Sequence, residues 1–576
     1  MSYKFHKHIL VLSMAMVSGP VFSAIDLPAE VTHRQEQRDA ALQKQVQPEV
    51  NVNLGIEAQK IPAKQLIYLE SQSETPCFNI KKIYLSGDDA AHFLTAFDEI
   101  TQGPHNIIGR CIGVQGLNQA LDLVQNRIIT DGYVTTRVLL PAQNIASGNV
   151  RVRVIAGRVD QIKFAEGVSS RAHKFNALPI KSGDLLNIRD LEQGLENLKR
   201  VPTVETDFKI QPAEQINQPG YSDIVLAWQQ SKPYRINLSL DDAGSDSTGK
   251  YQGTATLSLD HLLTLNDLFY VSYNHDLGGG DSGKRGTDGF YASYTIPFDY
   301  WLLSSSYSQS NYNQTVAGAS QSYEYSGESE LISADLSRVL YRNAHRKTLA
   351  SVGGWYRSSN NYIDDVEVEV QRRKTAGWKA AIDHTEYFSN ATLSGNLTYK
   401  RGTGWLDAMR APEEYFGEAF TRVGILQANA NLQVPFRVGQ QALQYSVDWR
   451  MQRSNKALTP QDRFSIGNRY TVRGYDGEQT LMADNGFLIR NEFSGAILNQ
   501  PHYWYVGIDY GEVGGRTARA PNPLPGTSLL GSVLGLRGQI APIRLSYDAF
   551  IGAPLQKPEH FKTDDYTTGF SLNWSY

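Results

Sequence analysis

Phe570, Leu572, Trp574 and Tyr576 alternate with Ser571, Asn573 and Ser575 up to the carboxy terminus. A β-strand turns successive side chains to opposite faces, so this run has one aromatic, apolar face and one polar face. The same alternation occurs in Tyr234, Ile236, Leu238 and Leu240 against Arg235, Asn237, Ser239 and Asp241, and again in Phe290, Ala292, Tyr294, Ile296 and Phe298. Between them lie many segments of similar length, separated by loops of Gly, Asn, Asp and Ser. A transmembrane barrel has this pattern, apolar toward lipid and polar toward the lumen. Each crossing takes ~9–11 residues at a tilt, and the span from Tyr234 to Tyr576, at about 21 residues per strand and loop, holds about sixteen antiparallel strands. A soluble sandwich would not explain so many strands in succession, nor the final aromatic residue. Residues 233–576 are therefore expected to form an all-β transmembrane barrel.

The opposite end of the chain predicts export. Lys4 and Lys7 precede an apolar run from Ile9 to Val17, and small residues follow at Ser23 and Ala24. This is the layout of a secretory signal peptide over residues 1–24, and cleavage after Ser23 fits equally well. The run is far shorter than the ~20 residues a spanning helix needs, and no later stretch is long and apolar enough. Residues 25–45 are good helix formers with Pro28 suited to a first turn. Their apolar members, Val31, Ala40, Ala41 and Leu42, are too few for a core-facing stripe. A helix so polar all round sits in water or in a polar cavity, or else the segment is a frayed tail. Residues 46–73, with Pro48 and Pro62, read as an extended linker.

Two small α/β units are expected next, at residues 74–157 and 158–232. In the first, a short strand begins at Phe78, and Leu117, Ala120, Leu121, Val124 and Ile128 share one helical face. Asp131-Gly132 turns the chain into a predicted strand from Tyr133 to Pro141, and Val150–Ile155 alternates as another. The second unit repeats the scheme: a strand over Val159–Phe164, then a helix capped by Asn187 with Asp190 in the capping-box position and Ile188, Leu191, Leu195 and Leu198 on one face. Strands near Val204–Ile210 and Tyr221–Trp228 complete it. The two cysteines, Cys77 and Cys111, are expected to pair in an oxidising compartment, which would stabilise the first unit by roughly 3–4 kcal/mol.

Composition narrows the function. With 55 Lys+Arg against 59 Asp+Glu and no basic block, nucleic acid is not an expected partner. Gly278 to Lys284 superficially resembles a phosphate loop but lacks the following Ser/Thr and helix. The 12 histidines show no metal-ligand spacing, and no Gly-x-Ser-x-Gly elbow occurs. No enzymatic activity, cofactor or metal is expected.

The most specific motif is Thr471-Val472-Arg473-Gly474-Tyr475, between barrel strands. Downstream, Leu488, Arg490, Glu492 and Ser494 share one face of a strand; with Phe487, Ile489 and Phe493 toward lipid, Arg490 and Glu492 point inward. In the next strand Tyr503, Tyr505, Gly507 and Asp509 share a face, which makes Asp509 lumenal beside Gly507. Val472 to Tyr475 matches the VRGY loop of outer-membrane transporters that carry POTRA (polypeptide-transport-associated) domains, and the two α/β units look like POTRA modules. With the polar N-terminal helix, the linker and the aromatic terminus, the whole mature chain resembles two-partner secretion transporters of the haemolysin secretion/activation type, a group that includes contact-dependent growth-inhibition exporters.

That resemblance implies an outer-membrane protein of a Gram-negative bacterium with POTRA 1 (residues 74–157) and POTRA 2 (158–232) in the periplasm. It implies that the VRGY loop folds into the lumen, with Arg473 paired to Asp509, a contact of ~1–3 kcal/mol in a wet lumen. It also implies that the N-terminal helix, with Arg34 and Arg38, plugs the pore. The expected partner is a large secreted exoprotein: a haemolysin, an adhesin or a contact-dependent toxin. Outer-membrane lipid and the barrel-assembly machinery, which reads the aromatic terminus, are the others. The alternatives are a barrel-assembly factor of the same superfamily, which carries more POTRA modules and no plug helix, and a plain diffusion porin, which needs neither POTRA nor VRGY.

Overall fold

A computed structural model describes residues 27–47, 50–52, 74–214, 218–318, 320–498, 500–518 and 524–576. The signal segment 1–24 and most of the 46–73 linker lie outside the described residues. Sixteen antiparallel strands, from Tyr234–Asp241 to Thr567–Ser575, close into a barrel, with a two-residue spur at Val366–Glu367. Closure comes from the terminal strand: Ser571 pairs with Asp241 and Trp574 with Leu238, and Tyr576 exchanges backbone hydrogen bonds with Ile236. The alternation at the carboxy terminus thus fixes the register of the seam. A one-residue slip would turn every apolar side chain inward. Some strands are much longer than a crossing requires; Ser322–Arg342 has 21 residues.

The outer wall exposes Leu238, Phe290, Leu336, Ile382, Leu397, Ile508 and Leu534, while the inner wall buries Thr256, Ser272, Asn274, Ser293 and Thr295. No helix among the described residues is long and apolar enough to cross a membrane.

The first small domain packs the helix Val114–Thr130 against a three-stranded sheet of Lys82–Ser86, Asn149–Ile155 and Arg137–Leu139. Leu117, Ala120, Leu121, Val124 and Ile128 are all in its core beside Val150, Val152 and Val154. The Cys77–Cys111 disulfide staples its edge. The expected strand Tyr133–Pro141 shrinks to Arg137–Leu139. Side chains replace the missing ladder: Gln125 donates to the carbonyl of Thr136 and accepts from the amide of Val138, and the Thr136 hydroxyl accepts from the amide of Gly157.

The second domain places Ile188–Lys199 on a sheet of Arg158–Phe164, Tyr221–Gln230 and Val204–Pro212. Asn187 caps the helix by accepting from the amide of Arg189. Asp190 closes no capping box; it accepts from the Tyr300 hydroxyl of a barrel turn instead. The unit does not repeat the two-helix scheme of the first, because residues 165–187 form no helix. They dock on the barrel, where Asn176 donates to the carbonyls of Leu265 and Pro297, and Asn197 of the helix donates beside them to that of Asp299.

Candidate functional site

The chain between strands Gln441–Ser454 and Asn485–Ala496 folds back into the barrel. It opens with a short helical turn at Pro460–Asp462, continues as a hairpin of Phe464–Ile466 with Leu481–Ala483, and carries Val472–Tyr475 at its tip. Ile466, Val472, Tyr475 and Leu481 bury themselves against Leu488, Val513, Leu529 and Phe561 of the wall and a neighbouring loop. This apolar contact is what holds a loop inside an otherwise polar lumen.

Arg473 and Asp509 are brought together in a three-bond contact. Asp509 accepts from Nε of Arg473 at 2.7 Å, from Nη2 at 2.9 Å and from the Arg473 amide at 3.0 Å. Nη1 reaches Glu492 at 2.5 Å, and Glu492 also meets Arg537 at 2.9 Å. Arg490 stands 3.8 Å from Asp509 and donates to the Tyr470 carbonyl at 3.3 Å. A fork of parallel N–H donors fixes position as well as adding energy. The expectation of a wet pair is revised, because Asp509 is 0% and Arg473 6% exposed. Removing one partner of a buried pair strands the other charge and costs about 3–5 kcal/mol.

Glycines make the docking possible. Gly474 has φ +99°, a left-handed conformation that a side chain would strain. On the facing wall a Cβ at Gly507 would meet Arg473 Nη2 at 2.5 Å, and one at Gly531 would meet the Arg473 carbonyl oxygen at 1.9 Å. Gly511 and Gly552 likewise face Val472 and Gly474. Tyr475 sends its hydroxyl to the carbonyls of Gln556 (2.6 Å) and Leu530 (3.1 Å), where the ladder between two strands shifts register at Leu530/Gly531. Sequence reasoning found Gly507 but missed Gly511, Gly531, Gly552 and the bulge. Glycine recurring on an inward face was the available signal.

The helix Leu27–Val46 lies inside the barrel, which accounts for its polarity. On one side it meets the wall: Arg38 donates to Gln252 at 2.8 Å, Gln35 to Asn274 at 3.1 Å, and Ser308 donates to Asp39 at 2.6 Å. On the other it meets the folded-in loop: Arg34 donates to the Gly477 carbonyl at 2.7 Å, Thr480 to Glu30 at 2.8 Å and Asn468 to Gln37 at 3.2 Å. Glu36 pairs with the buried Arg357, which also approaches Asp462 of the loop at 3.6 Å. A lumenal cavity of 340 Å³ separates Arg38, Asp39 and Leu42 of the helix from Arg473, Arg490 and Glu492. Among the described residues no cluster of His, Cys, Asp and Glu could hold a metal ion.

Comparison with known proteins follows this geometry. Residues 220–538 match the family described as haemolysin secretion/activation protein ShlB/FhaC/HecB, residues 78–157 the ShlB-type POTRA domain and residues 158–212 a further POTRA domain. The chain is 34% identical over 516 residues to the outer membrane transporter CdiB-2 of Burkholderia pseudomallei, covering 87% of this chain and 86% of that one. It is 26% identical over 411 residues to the hemolysin transporter protein ShlB of Serratia marcescens, covering 70% and 71%. The structure of CdiB from Acinetobacter baumannii superposes with a TM-score of 0.82 at 32% identity, covering 96% of this chain and 100% of that one. A polar helix and a VRGY loop sharing the lumen of a POTRA-bearing barrel, with a family match over more than half the sequence, give one conclusion: the chain belongs to the haemolysin secretion/activation family of outer-membrane two-partner secretion transporters.

Proposed function

We propose that the chain captures a large exoprotein in the periplasm through its POTRA domains and passes it outward, unfolded, through the barrel lumen. The observation that carries this is that the object filling the lumen is a separate helix held mainly by polar contacts. Polar contacts exchange for water at little net cost, whereas apolar burial does not. The helix is therefore the removable part, and the loop with its apolar base is the fixed wall. Arg34 and Arg38 hold the plug; Val472 to Tyr475, Asp509, Arg490, Glu492 and Gly507 hold the wall.

The client's first contact is a strand edge. Among the described residues Val204–Pro212 pairs on one side, with Tyr221–Gln230, and its other backbone edge has no strand partner. Glu205, Asp207 and Lys209 are exposed along it, charges that discourage self-association while leaving the edge open to an extended client. The similarity to the CdiB proteins favours a contact-dependent growth-inhibition toxin as cargo over a haemolysin or adhesin. Outer-membrane lipid surrounds the barrel, and the aromatic terminus addresses the barrel-assembly machinery. Co-expression with a large exoprotein encoded beside this chain, scoring that protein on the cell surface, tests the proposal. Surface display that persists without this chain would overturn it.

A further inference from the structure

The lipid-facing wall carries a cationic feature that plays no part in the lumen. Across strands Thr392–Thr403, Gly424–Val438 and Gln441–Ser454, Arg401 is registered with Gly424, and Leu426 with both Tyr399 and Arg453. Leu397 and Tyr399 are 48% and 40% exposed on the outer wall, so Arg401, two residues on, points outward as well. Below Arg453 on the same face come Met451, Trp449, Val447 and Tyr445, an apolar and aromatic column. The first barrel strand starts at the POTRA end, and strands alternate direction from it. Arg401 and Arg453 therefore stand at the extracellular edge of the apolar band.

Both arginines are exposed, and neither has an ion pair or side-chain hydrogen bond among the described residues. Between them Gly424 has no side chain, and the Tyr399 hydroxyl lies over it; a Cβ there would come within 2.4 Å of that hydroxyl and push the ring aside. Tyr399, Gly424 and the two arginines border a groove of 870 Å³ that runs on along Leu426, Met451 and Phe487. Glu512 closes its far end, beyond Phe487, and accepts from the Tyr510 hydroxyl at 3.2 Å.

Two unpaired cations at the interfacial edge of the hydrocarbon are tolerated there and attract an anion that can meet them. A guanidinium presents planar paired donors that match phosphate, and here two of them flank a position with no side chain. The anion at that depth in an outer leaflet is the phosphate of a glycolipid. We infer that Arg401 and Arg453, across Gly424, bind a phosphate of an outer-leaflet glycolipid, whose acyl chain lies along Leu426, Met451 and Phe487.

The test titrates the purified, folded full-length protein with bisphosphorylated lipid A, its dephosphorylated form and inorganic phosphate, reading adducts by native mass spectrometry. Phosphorylated lipid A binds, the dephosphorylated form binds about tenfold less, and inorganic phosphate does not displace the lipid. R401S/R453S lowers lipid occupancy about tenfold or more, and Gly424→Leu does the same with both charges kept. Arg338→Ser, which removes a lipid-facing guanidinium stacked 5.0 Å over Trp301 at the periplasmic end, leaves occupancy unchanged. Equal binding of the dephosphorylated lipid to the unaltered protein would overturn the site, as would unchanged occupancy in a heat-modifiable, folded R401S/R453S. Displacement by inorganic phosphate would overturn its assignment to lipid.

Discussion

Arg34, on the helix within the lumen, donates a 2.7 Å hydrogen bond to the carbonyl oxygen of Gly477, two residues past the Val472–Tyr475 tip. The helix is thus fastened to the loop as well as to the barrel wall, and the two form one polar seam across the lumen. Fixing that seam should close the pore. Both native cysteines are paired, so an engineered pair is free of interference. Gln35→Cys with Asn274→Cys replaces a contact of 3.1 Å between helix and wall. Oxidised, this variant should abolish export and hold conductance in planar bilayers at its resting level, and reduction should restore both. Normal export by a fully oxidised variant would remove the helix from the export route.

The contact of Arg473 with Asp509 and Glu492 predicts strong coupling. Arg473→Ala strands the buried Asp509 while Glu492 keeps Arg537, and Asp509→Asn leaves the guanidinium with one carboxylate partner. Each single change should destabilise the docked loop by about 3–5 kcal/mol. The double variant should cost clearly less than the sum, with a coupling of about 2 kcal/mol or more. Hydrogen exchange across residues 467–480 reports the docking, and heat-modifiable migration shows that the barrel itself still forms. Charge reversal, Arg473→Glu, should stop export while leaving that migration intact. Additive effects of the two single changes would mean that they do not act through one contact.

Periodic features were legible in the sequence because they depend on near neighbours. The terminal strand and the buried faces of Val114–Thr130 and Ile188–Lys199 follow from spacings of two or about four residues, and the sixteen-strand count from the length of chain each crossing takes. Tyr133–Pro141 misleads because the Gln125 side chain satisfies the Thr136 carbonyl and the Val138 amide from outside, so its β-branched residues need no full ladder. Residues 165–187 depart from the first domain's plan because their partners are barrel turns a hundred residues away. The triad of Glu36, Arg357 and Asp462 is likewise invisible to local pattern, since its members come from the lumenal helix, the wall and the loop.

Glycine on the wall should matter as much as charge. A Cβ at Gly531 would sit 1.9 Å from the backbone oxygen of Arg473, and no rotamer change can relieve an overlap with backbone. Gly531→Ala should therefore lift the loop tip, whereas Gly514→Ala, where nothing lies within 4 Å, should not. Trypsin can read this directly, because cleavage after the buried Arg473 requires the tip to leave the wall. Gly531→Ala should expose that bond and depress export, and Gly514→Ala should behave like the parent. Equal resistance to trypsin in both would show that the wall yields to the added methyl group.

The junction of POTRA 2 with the barrel predicts a pH dependence. Glu196 is buried between Arg342 at 2.7 Å and Lys347 at 2.6 Å, and it also accepts from the amide of Val52 in the linker at 2.9 Å. Arg342 holds the Val52 carbonyl as well, so Val52 is clamped between domain and barrel. Burial pushes the Glu196 carboxyl up, but its hydrogen bonds and ion pairs with Arg342 and Lys347 outweigh that and hold it below its usual value of 4.5. A carboxylate with a depressed folded value binds fewer protons folded than released, so its contribution is complete above the ordinary value and falls as pH drops through the folded one. The junction should therefore be steady near neutrality and loosen below about pH 4.5. Hydrogen exchange across 188–199 and 342–347, followed from pH 7 to 3.5 and corrected for the intrinsic rate, should show protection lost only at the acid end. Glu196→Gln should show that loss already at pH 7 and flatten the acid response. A parent-like acid response in Glu196→Gln would assign the titration to another group.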